Sequence, residues 1–436
     1  MIHTGLREAV AACDPFETSG VVLRVVGLAV VASGPALPVG DTVAIHGQGT
    51  PRTAMVTGFR EGEVILQPLG STDGIRAGDR VVGLGGPLRI PVGPGLIGRI
   101  IDGVGRPLDG KGPIPGAAAR GLHAEPPPAL SRRPIDTVME TGIRSIDGLF
   151  PVGRGQRMGI FAGSGVGKST LLAEMARHAS ADVNVIALVG ERGREVGEFL
   201  NKVLGPEGLA RSVVIAATSD RPAVERLAAA QAAHAVAEHF RDAGLQVLMM
   251  MDSVTRLCQA AREIGLAAGE APVSRGFPPS AFAILPRLLE RAGTGEGAGA
   301  ITAFYTVLIE ADDENDPVGD TVRGILDGHL FLSRRLAGQA IYPAIDPTLS
   351  VSRLAVDLCR PEDYRLGLKA RELVSEYERL RDLVEVGAYK TGADPRADAA
   401  IAAHPRLLAF LRQDVGVRVG RDQALADLRA AIGAAA

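Results

Sequence analysis

Residues 155–170 contain the feature that most constrains this chain, a glycine-rich loop between a buried strand and a helix. Met158–Phe161 has the apolar character of the end of a buried strand, and the segment beginning at Lys168 has apolar residues at helical spacing. Glycines let backbone N–H groups turn inward around phosphate oxygens, and the helix N-terminus adds its partial positive charge. This order of elements, with Gly-Lys-Ser at the start of the helix, predicts a phosphate-binding loop.

The loop also predicts how a nucleotide would be held. Lys168 is placed to reach the β- and γ-phosphates, and the Ser169 hydroxyl is placed to ligate Mg²⁺. Ala162 stands at the first position of the pattern, where Gly is usual, and it is small enough to fit there. A chance Gly-rich turn is the alternative, and the presence of both flanking elements argues against it. The residues predicted to contact the nucleotide are Gly163, Ser164, Gly165, Val166, Gly167, Lys168, Ser169 and Thr170.

Composition and charge narrow the classes of protein to which the chain can belong. Its 436 residues predict two or three domains. Hydrophobic residues make up 46% and charged residues 22%, as in ordinary globular proteins, and no run of about 20 apolar residues predicts a membrane span. The net charge of −3 demands no polyanionic partner.

Cysteine usage and the N-terminal segment indicate the compartment. Cys13, Cys258 and Cys359 are far apart and odd in number, which favours a reducing cytoplasm over a disulfide framework or a zinc site. The first residues do not have the pattern of a signal peptide. We therefore expect a cytoplasmic protein.

The N-terminal part, residues 1–90, is predicted to be a small β-barrel domain. Residues 1–20 are weakly patterned and predict a short helix or a mobile arm. Short apolar runs separated by Gly, Pro and Asp then predict strands. The barrel segment holds one aromatic residue, Phe59, which argues against binding RNA by base stacking and favours an assembly or packing domain. The predicted strands are Val21–Val31, Thr42–His46, Ala54–Arg60, Glu63–Pro68 and Arg80–Leu84.

Residues 91–354 are predicted to be a nucleotide-binding domain. Residues 91–134 are rich in Gly and Pro, with Gly98–Pro107 predicted to be a strand and turns and Pro113–Pro134 predicted to be a linker. Beyond the phosphate-binding loop, apolar strands alternate with helices, which predicts a mostly parallel sheet covered on both faces. The predicted strands are Val183–Val189, Ser212–Thr218, Leu245–Met251, Ile301–Ile309 and Gly328–Ser333, and the predicted helices are Glu195–Leu204, Pro222–Asp242 and one starting at Thr255.

Residues 355–436 are predicted to be a C-terminal helical domain. The segment is charged and rich in Ala and Leu. Its predicted helices are Tyr364–Val386, Ala397–Gln413 and Gln423–Ala430. The fold class is therefore α/β, with a central P-loop domain between a small barrel and a helical domain.

Two acidic residues follow predicted strands. Asp252 ends the strand Leu245–Met251, where a carboxylate can hold Mg²⁺ or its water, although a helix cap before Thr255 would also explain it. Glu191 follows the strand Val183–Val189 and is placed to polarise an attacking water, although it could simply pair with a neighbouring arginine. Both would lie at the same edge of the sheet as the phosphates.

Several segments, in this order along the chain, resemble those of the hexameric RecA-like ATPases related to the catalytic β subunit of the rotary ATP synthase. The strongest resemblance is to the flagellum-specific export ATPases and their injectisome relatives in type III secretion, and it covers roughly residues 20–415. The segments are Phe161–Thr170, Val189–Val196, Asp252–Arg256, Arg275–Ser280, Leu285–Gly293, Ala303–Val307, Asp312–Pro317, Tyr342–Asp346 and Ser350–Arg353.

The resemblance implies roles at the matching positions. Glu191 matches the carboxylate that activates water, and Arg192 beside it is expected near the γ-phosphate. Asp252 matches the magnesium-associated acid, and Tyr342 matches an aromatic residue that packs on adenine. Arg353 matches an arginine finger, which reaches the ATP of a neighbouring subunit and therefore implies a homohexamer.

Two departures separate the chain from rotary β subunits. Where those carry an acidic loop, this chain has Gly387–Pro395, which matches the flagellar export group instead. No aromatic residue follows Phe410 to complete the adenine pocket, so a looser hold on the base and a weaker preference for adenine are expected.

The implied function is MgATP hydrolysis that energises the export of flagellar proteins through chaperone release and substrate unfolding. Expected partners are the other subunits of the ring, an export regulator, a central stalk protein, the export gate and substrate–chaperone complexes, with no nucleic acid. The expected location is the cytoplasm, peripherally at the inner-membrane export apparatus. The alternatives are an injectisome ATPase, a rotary β-type subunit and an RNA translocase.

Overall fold

A computed structural model describes residues 18–309 and 316–433 of the chain. The predicted N-terminal arm lies almost entirely outside the described residues, and so does most of the Asp312–Pro317 segment. Within the described ranges, no helix is long and apolar enough to cross a bilayer.

Six antiparallel strands close the N-terminal barrel, which confirms the predicted architecture of this part. Their order around the barrel is β1-β2-β5-β4-β3-β6. The single run predicted at Val21–Val31 is wrong, because Gly27 adopts a left-handed φ of +58° and lets the chain reverse between two strands. The strands are β1 (Ser19–Val26), β2 (Ala29–Ala32), β3 (Asp41–His46), β4 (Arg52–Arg60), β5 (Glu63–Pro68) and β6 (Arg80–Pro87).

The Gly- and Pro-rich connection is more ordered than its composition indicates. β7 (Arg89–Val92) pairs with β9 (Ala118–Gly121), so the prediction that Pro113–Pro134 is a linker is wrong over β9. β8 (Ile100–Ile101) joins the edge of the central sheet beside β14 (Ser212–Ala217). β8 lies within Gly98–Pro107, where a strand and turns are predicted, whereas β7 and β9 leave no periodic signal because each has only four residues. Two 3₁₀ turns (Pro94–Leu96 and Ala129–Ser131) and the pair β10 (Val138–Met139) with β11 (Val152–Gly153) complete the connection.

The central sheet of the described chain has nine strands and is mostly parallel, as predicted. Its order is β19-β18-β12-β17-β15-β13-β14-β8, with β16 paired to β17. Antiparallel pairing occurs at β16–β17 and β18–β19. Its other strands are β12 (Arg157–Ala162), β13 (Val183–Val189), β15 (Gln246–Asp252), β16 (Gly293–Thr294), β17 (Ala300–Leu308), β18 (Gly328–Leu332) and β19 (Val351–Ser352).

Helices cover both faces of this sheet and form the C-terminal layer. The apolar core around the sheet consists of two clusters, one on each face, and the barrel has a separate core of its own. The helices that surround the sheet are α1 (Arg144–Leu149), α2 (Lys168–His178), α3 (Gly193–Glu198), α4 (Gly205–Ala210), α5 (Ala223–Asp242), α6 (Val254–Ala267), α7 (Pro279–Leu289), α8 (Pro317–Ile325), α9 (Arg334–Gly338) and α10 (Ala355–Leu358). The C-terminal layer contains α11 (Pro361–Glu385), α12 (Pro395–Leu411) and α13 (Arg421–Ile432), which confirms the predicted helical region.

A π-helix interrupts the helix predicted at Glu195–Leu204. Residues 199–204 form one π-helical segment between α3 and α4. The Arg177 guanidinium of α2 donates hydrogen bonds to the carbonyls of Val203 and Leu204, so the irregular turn keeps its polar groups satisfied. Because this support comes from another helix, the spacing of residues within the segment could predict only a regular helix.

Strand order determines where the chemistry of this domain lies. β12, β13 and β15 are all parallel within the sheet, so their carboxyl ends meet at one edge. Loops that follow such strands form the ligand crevice in open α/β sheets. The phosphate-binding loop, Glu191 and Asp252 each follow or end one of these strands.

Candidate active site

The phosphate-binding loop leaves β12 after Ala162 and ends where α2 begins at Lys168. Gly165 and Gly167 have φ angles of +78° and +89°, which favour glycine and curl the loop backbone. A Cβ at Gly167 would lie 3.3 Å from the Tyr342 ring, so the absence of a side chain there lets the ring lie on the loop. The predicted loop residues therefore form one continuous cradle.

Lys168 lies between two carboxylates at the edge of the sheet. Its ammonium group donates a hydrogen bond to Asp252 Oδ1 and lies 3.9 Å from Glu191 Oε1. Asp252 is only 4% exposed, and the Thr306 hydroxyl also donates to its Oδ1 at 2.8 Å. The structure thus brings together three residues that the sequence predicted from separate segments.

The environment of Glu191 changes its acidity. Burial disfavours the charged carboxylate, and the nearby Asp252 charge adds to this effect, so the pKa of Glu191 is raised to about 7 although Lys168 acts in the opposite direction. A carboxylate with a pKa near neutrality is suited to accept a proton from water at neutral pH. This environment supports the expected role of Glu191 as a base.

The oxygen donors at this edge fit Mg²⁺. Ser169 begins α2 with an exposed side chain, and the carboxylates of Asp252 and Glu191 lie beside Lys168. Mg²⁺ prefers such oxygen ligands, and it is usually held by one or two carboxylates together with substrate phosphates. In the described ranges, no group of three His, Cys, Asp or Glu side chains is placed to hold a metal ion.

Arg192 lies at the rim of the site. Its side chain is 72% exposed, and it donates to Glu195 Oε1 at 3.1 Å. The structure therefore places it in the loop after Glu191 without a contact to Lys168 or Asp252. Its predicted position beside the γ-phosphate requires the side chain to turn inward from Glu195.

Arg353 lies at the amino end of β18, whereas its own phosphate-binding loop lies at the carboxyl ends of the strands. Its backbone N–H donates to Asp327 O at 3.0 Å, directly before β18, and its Nη2 donates to Arg323 O at 3.2 Å. The loop follows Ala162, which pairs with Leu332 at the far end of β18. Five residue spacings, or about 16 Å, separate Asp327 from Leu332.

A cavity of about 350 Å³ opens beside the loop. This volume is within the range of small-ligand pockets, roughly 300–1,000 Å³. Tyr342 contributes an aromatic ring that is 42% exposed, and Val415 contributes an aliphatic side chain. The other lining residues include Ile143, Gly165, Gly167, Thr170 and Leu171.

The sequence missed three residues that support the site. Thr306 was recognisable only as a polar residue in an apolar strand. Arg334 could not be identified from its neighbours in the sequence. Its guanidinium lies so close to Gly163 that a Cβ added to this glycine would be 2.7 Å from Arg334 Nε. Gln413 donates its backbone N–H to Tyr342 O at 2.8 Å, across a separation of 71 residues that no local pattern reveals.

Three family models match successive parts of the chain. Residues 22–85 match the beta-barrel domain of the ATP synthase alpha/beta family, and residues 142–352 match the nucleotide-binding domain of that family. Residues 359–430 match the C-terminal domain of the type III secretion ATPase EscN.

Similar relatives and a similar structure extend over almost the whole chain. A flagellum-specific ATP synthase of Bacillus subtilis is 50% identical, with 94% of each chain covered. A type 3 secretion system ATPase of Xanthomonas euvesicatoria is 49% identical, with 95% of this chain and 94% of that protein covered. The assembled ATPase EscN of enteropathogenic E. coli is 44% identical with a TM-score of 0.90, covering 95% of this chain and all of that one. The chain therefore belongs to the ATP synthase alpha/beta family, within its group of flagellar and type III secretion ATPases.

Proposed function

We propose that this ATPase hydrolyses MgATP as a homohexameric ring and that hydrolysis energises the export of flagellar proteins through a type III secretion apparatus. One observation carries the chemical part of this proposal, namely the Lys168 ammonium group held between Asp252 and Glu191 at the end of the phosphate-binding loop.

In the proposed reaction, the triphosphate lies along residues 163–170. Lys168 exchanges its bond with Asp252 for phosphate oxygens and neutralises charge that develops on them. Ser169 and Asp252 would hold Mg²⁺, which supplies further neutralisation of the β- and γ-phosphate oxygens. Glu191 orients the attacking water and accepts its proton, because its pKa is raised to about 7 by burial and by Asp252.

The remaining parts of the nucleotide have their own proposed contacts. Tyr342 packs on the base in the cavity beside the loop, and Arg192 turns from Glu195 toward the γ-phosphate. An aliphatic residue, Val415, stands where a second aromatic residue would enclose the base, which supports a weak preference for adenine.

Replacing Glu191 by Gln should slow MgATP hydrolysis by about 10²- to 10⁴-fold, because the amide keeps the shape of the side chain and loses the basic carboxylate. ATP binding should remain, as measured by calorimetry. Glu198→Gln is the matched control, since Glu198 is a surface residue paired with Arg194 in the helix that follows.

The same variant tests the biological part of the proposal. In cells from which the gene has been deleted, the unchanged protein should restore the export of flagellar filament protein, and Glu191→Gln should not. A loss of activity that paralleled a loss of ATP binding would make Glu191 a structural residue. Normal filament export in the deleted strain would overturn the flagellar assignment, and a secretion defect in effector proteins instead would favour an injectisome.

The separation of Arg353 from its own loop supports a ring. Because a site completed by a neighbour needs two subunits, the specific ATPase activity should rise with protein concentration until rings form. Activity measured across a dilution series, with assembly followed by analytical ultracentrifugation, checks this. A constant specific activity down to monomeric protein would contradict the ring.

A compact loop supports a flagellar-type protein over a rotary β subunit. Gly387–Pro395 joins α11 to α12, where the Tyr389 hydroxyl donates to Asp398 Oδ1 at 2.9 Å and the Gly392 N–H donates to Asp398 Oδ2 at 2.8 Å. This loop has one acidic residue, Asp394, which caps α12. It lacks the acidic run that the rotary subunit carries there.

The proposed partners follow from this assignment. One relative, the assembled EscN, has also been solved in complex with its central stalk EscO, at 43% identity and a TM-score of 0.87. We propose a corresponding stalk protein for this chain, together with an export regulator, the export gate and substrate–chaperone complexes at the cytoplasmic side of the inner membrane. We also propose three domains, at residues 1–90, 91–354 and 355–436.

A further inference from the structure

Residues 412–419 form a strap beside the cavity that contains Tyr342, and they connect α12 to α13. Three backbone N–H groups of the strap are bound by three separate parts of the nucleotide-binding domain. Gln413 N–H donates to Tyr342 O at 2.8 Å. Gly416 N–H donates to Glu174 Oε2 of α2 at 2.7 Å, and Val419 N–H donates to Gly142 O at 3.1 Å.

Gln413 is also bound through its side chain. Its Nε2 donates to Gly142 O at 2.9 Å and to Val417 O at 2.6 Å, and its Oε1 accepts from Arg144 N–H at 2.6 Å. The side-chain amide thus uses both of its N–H donors and its oxygen, and these three partners fix the orientation of the amide. Gln413 therefore links two parts of the strap, and it connects the strap to the turn before α1 and to Tyr342.

The anchor for these bonds is itself held firmly. The buried Asp147 carboxylate accepts hydrogen bonds from the Thr141 N–H at 2.9 Å, the Thr141 hydroxyl at 2.8 Å and the Gly142 N–H at 3.0 Å. Ile143, the next residue of this turn, lines the cavity. The turn is thus both a wall of the cavity and the attachment point of Gln413.

The strap supplies an exposed part of the cavity wall. Asp414 and Val415 line the cavity, and Val415 is 67% exposed. Their side chains reach the wall because the residues on either side, Gln413 and Gly416, are tied down. Without those ties, ordering the strap around a ligand would cost conformational entropy at each binding event.

We propose that Gln413 is a positioning residue for the nucleotide, which holds Val415 and Tyr342 in place for the base. This inference rests on the proposed function, since it takes the cavity as the base site. The expected effect is selective for the nucleoside part of a ligand. In the proposed site the phosphates contact residues 163–170, and none of these residues is hydrogen-bonded to Gln413. Gln413 should therefore govern affinity for the nucleoside part of a ligand and leave affinity for its phosphates unchanged.

The test compares two ligands on the full chain by calorimetry in the presence of Mg²⁺. ADP carries a nucleoside and phosphates, whereas inorganic tripolyphosphate carries phosphates alone. Gln413→Ala should raise the Kd of ADP about tenfold or more, the scale expected for losing more than one hydrogen bond, and should change the Kd of tripolyphosphate by less than about twofold. Gln423→Ala is the matched control, an exposed glutamine of α13 bonded to Asp427, and should change neither.

A second variant separates the donated bonds from the accepted one. Gln413→Glu keeps the length and the oxygen that accepts from Arg144, but it sets a carboxylate against the carbonyls of Gly142 and Val417. Its effect on ADP should equal or exceed that of Gln413→Ala, because acceptors then face acceptors. If Gln413→Ala does not fold, Gln413→Met, which keeps the length of the side chain and has no amide group, replaces it.

The outcomes separate this inference from the proposed function. Unchanged ADP affinity in both variants, or equal weakening of ADP and tripolyphosphate, would overturn the positioning role. If the unchanged protein bound ADP no better than tripolyphosphate, the base cavity itself would be wrong. If it bound neither ligand, the proposed ATPase site would fail, and the inference would fail with it.

Discussion

Replacing Lys168 by Ala should reduce ATP hydrolysis by about 10³-fold or more, the scale for removing a group that stabilises charge in a transition state. The reason lies in the position of the ammonium group. It donates a hydrogen bond to Asp252 and lies 3.9 Å from Glu191. It is therefore placed to leave these carboxylates and bind phosphate oxygens instead. Turnover of the purified variant, measured by phosphate release, checks this.

The variant should keep its fold, because the buried Asp252 still accepts a hydrogen bond from the Thr306 hydroxyl. Circular dichroism and ring assembly verify that point. Lys202→Ala is the matched control, since Lys202 is an exposed lysine of the same domain in the π-helix. Near-normal turnover in Lys168→Ala would remove the assignment of residues 163–170 as the phosphate site.

Replacing Arg353 by Ala should also reduce hydrolysis by roughly 10³-fold or more, because arginine fingers contribute on that scale. Arg353 lies at the amino end of β18, away from its own loop, so we expect its target to be the nucleotide of a neighbouring subunit. Arg353→Lys should remain strongly impaired, since lysine keeps the charge but loses the planar fork that forms bidentate bonds to phosphate oxygens.

Mixing two inactive variants provides the decisive measurement for Arg353. In rings assembled from Arg353→Ala and Lys168→Ala subunits, some interfaces pair an intact loop with an intact finger, and partial recovery of activity is expected. Arg396→Ala, a surface arginine at the start of α12, serves as a control and should leave activity unchanged. Absence of recovery in rings proven to be mixed would count against action in trans, unless strict coupling around the ring hid it.

Much of the site could be predicted because its signals are local. A glycine-rich loop between strand and helix, an acid ending an apolar strand and an acid following another are visible within a few residues each. The rule that parallel strands present their carboxyl ends at one edge then places Lys168, Glu191 and Asp252 together. The structure agrees, with these three side chains in direct or near contact.

Other features could not be predicted, because they depend on which distant segments pack together. β9 was hidden in a Gly- and Pro-rich stretch, since its pairing partner β7 lies 26 or more residues away along the chain. The π-helix at residues 199–204 depends on Arg177 from another helix.

The sequence by itself determined the class of fold, the phosphate-binding loop and the two acids beside it, because periodicity, glycine placement and strand order act over short stretches of chain. Only the tertiary structure decided that Arg353 lies across the sheet from its own loop, that Thr306 supports Asp252, and that Gln413 ties the C-terminal helices to Tyr342. These contacts join residues tens to hundreds of positions apart. Their geometry follows from packing and hydrogen-bond satisfaction in the folded chain, and a local pattern carries no record of either.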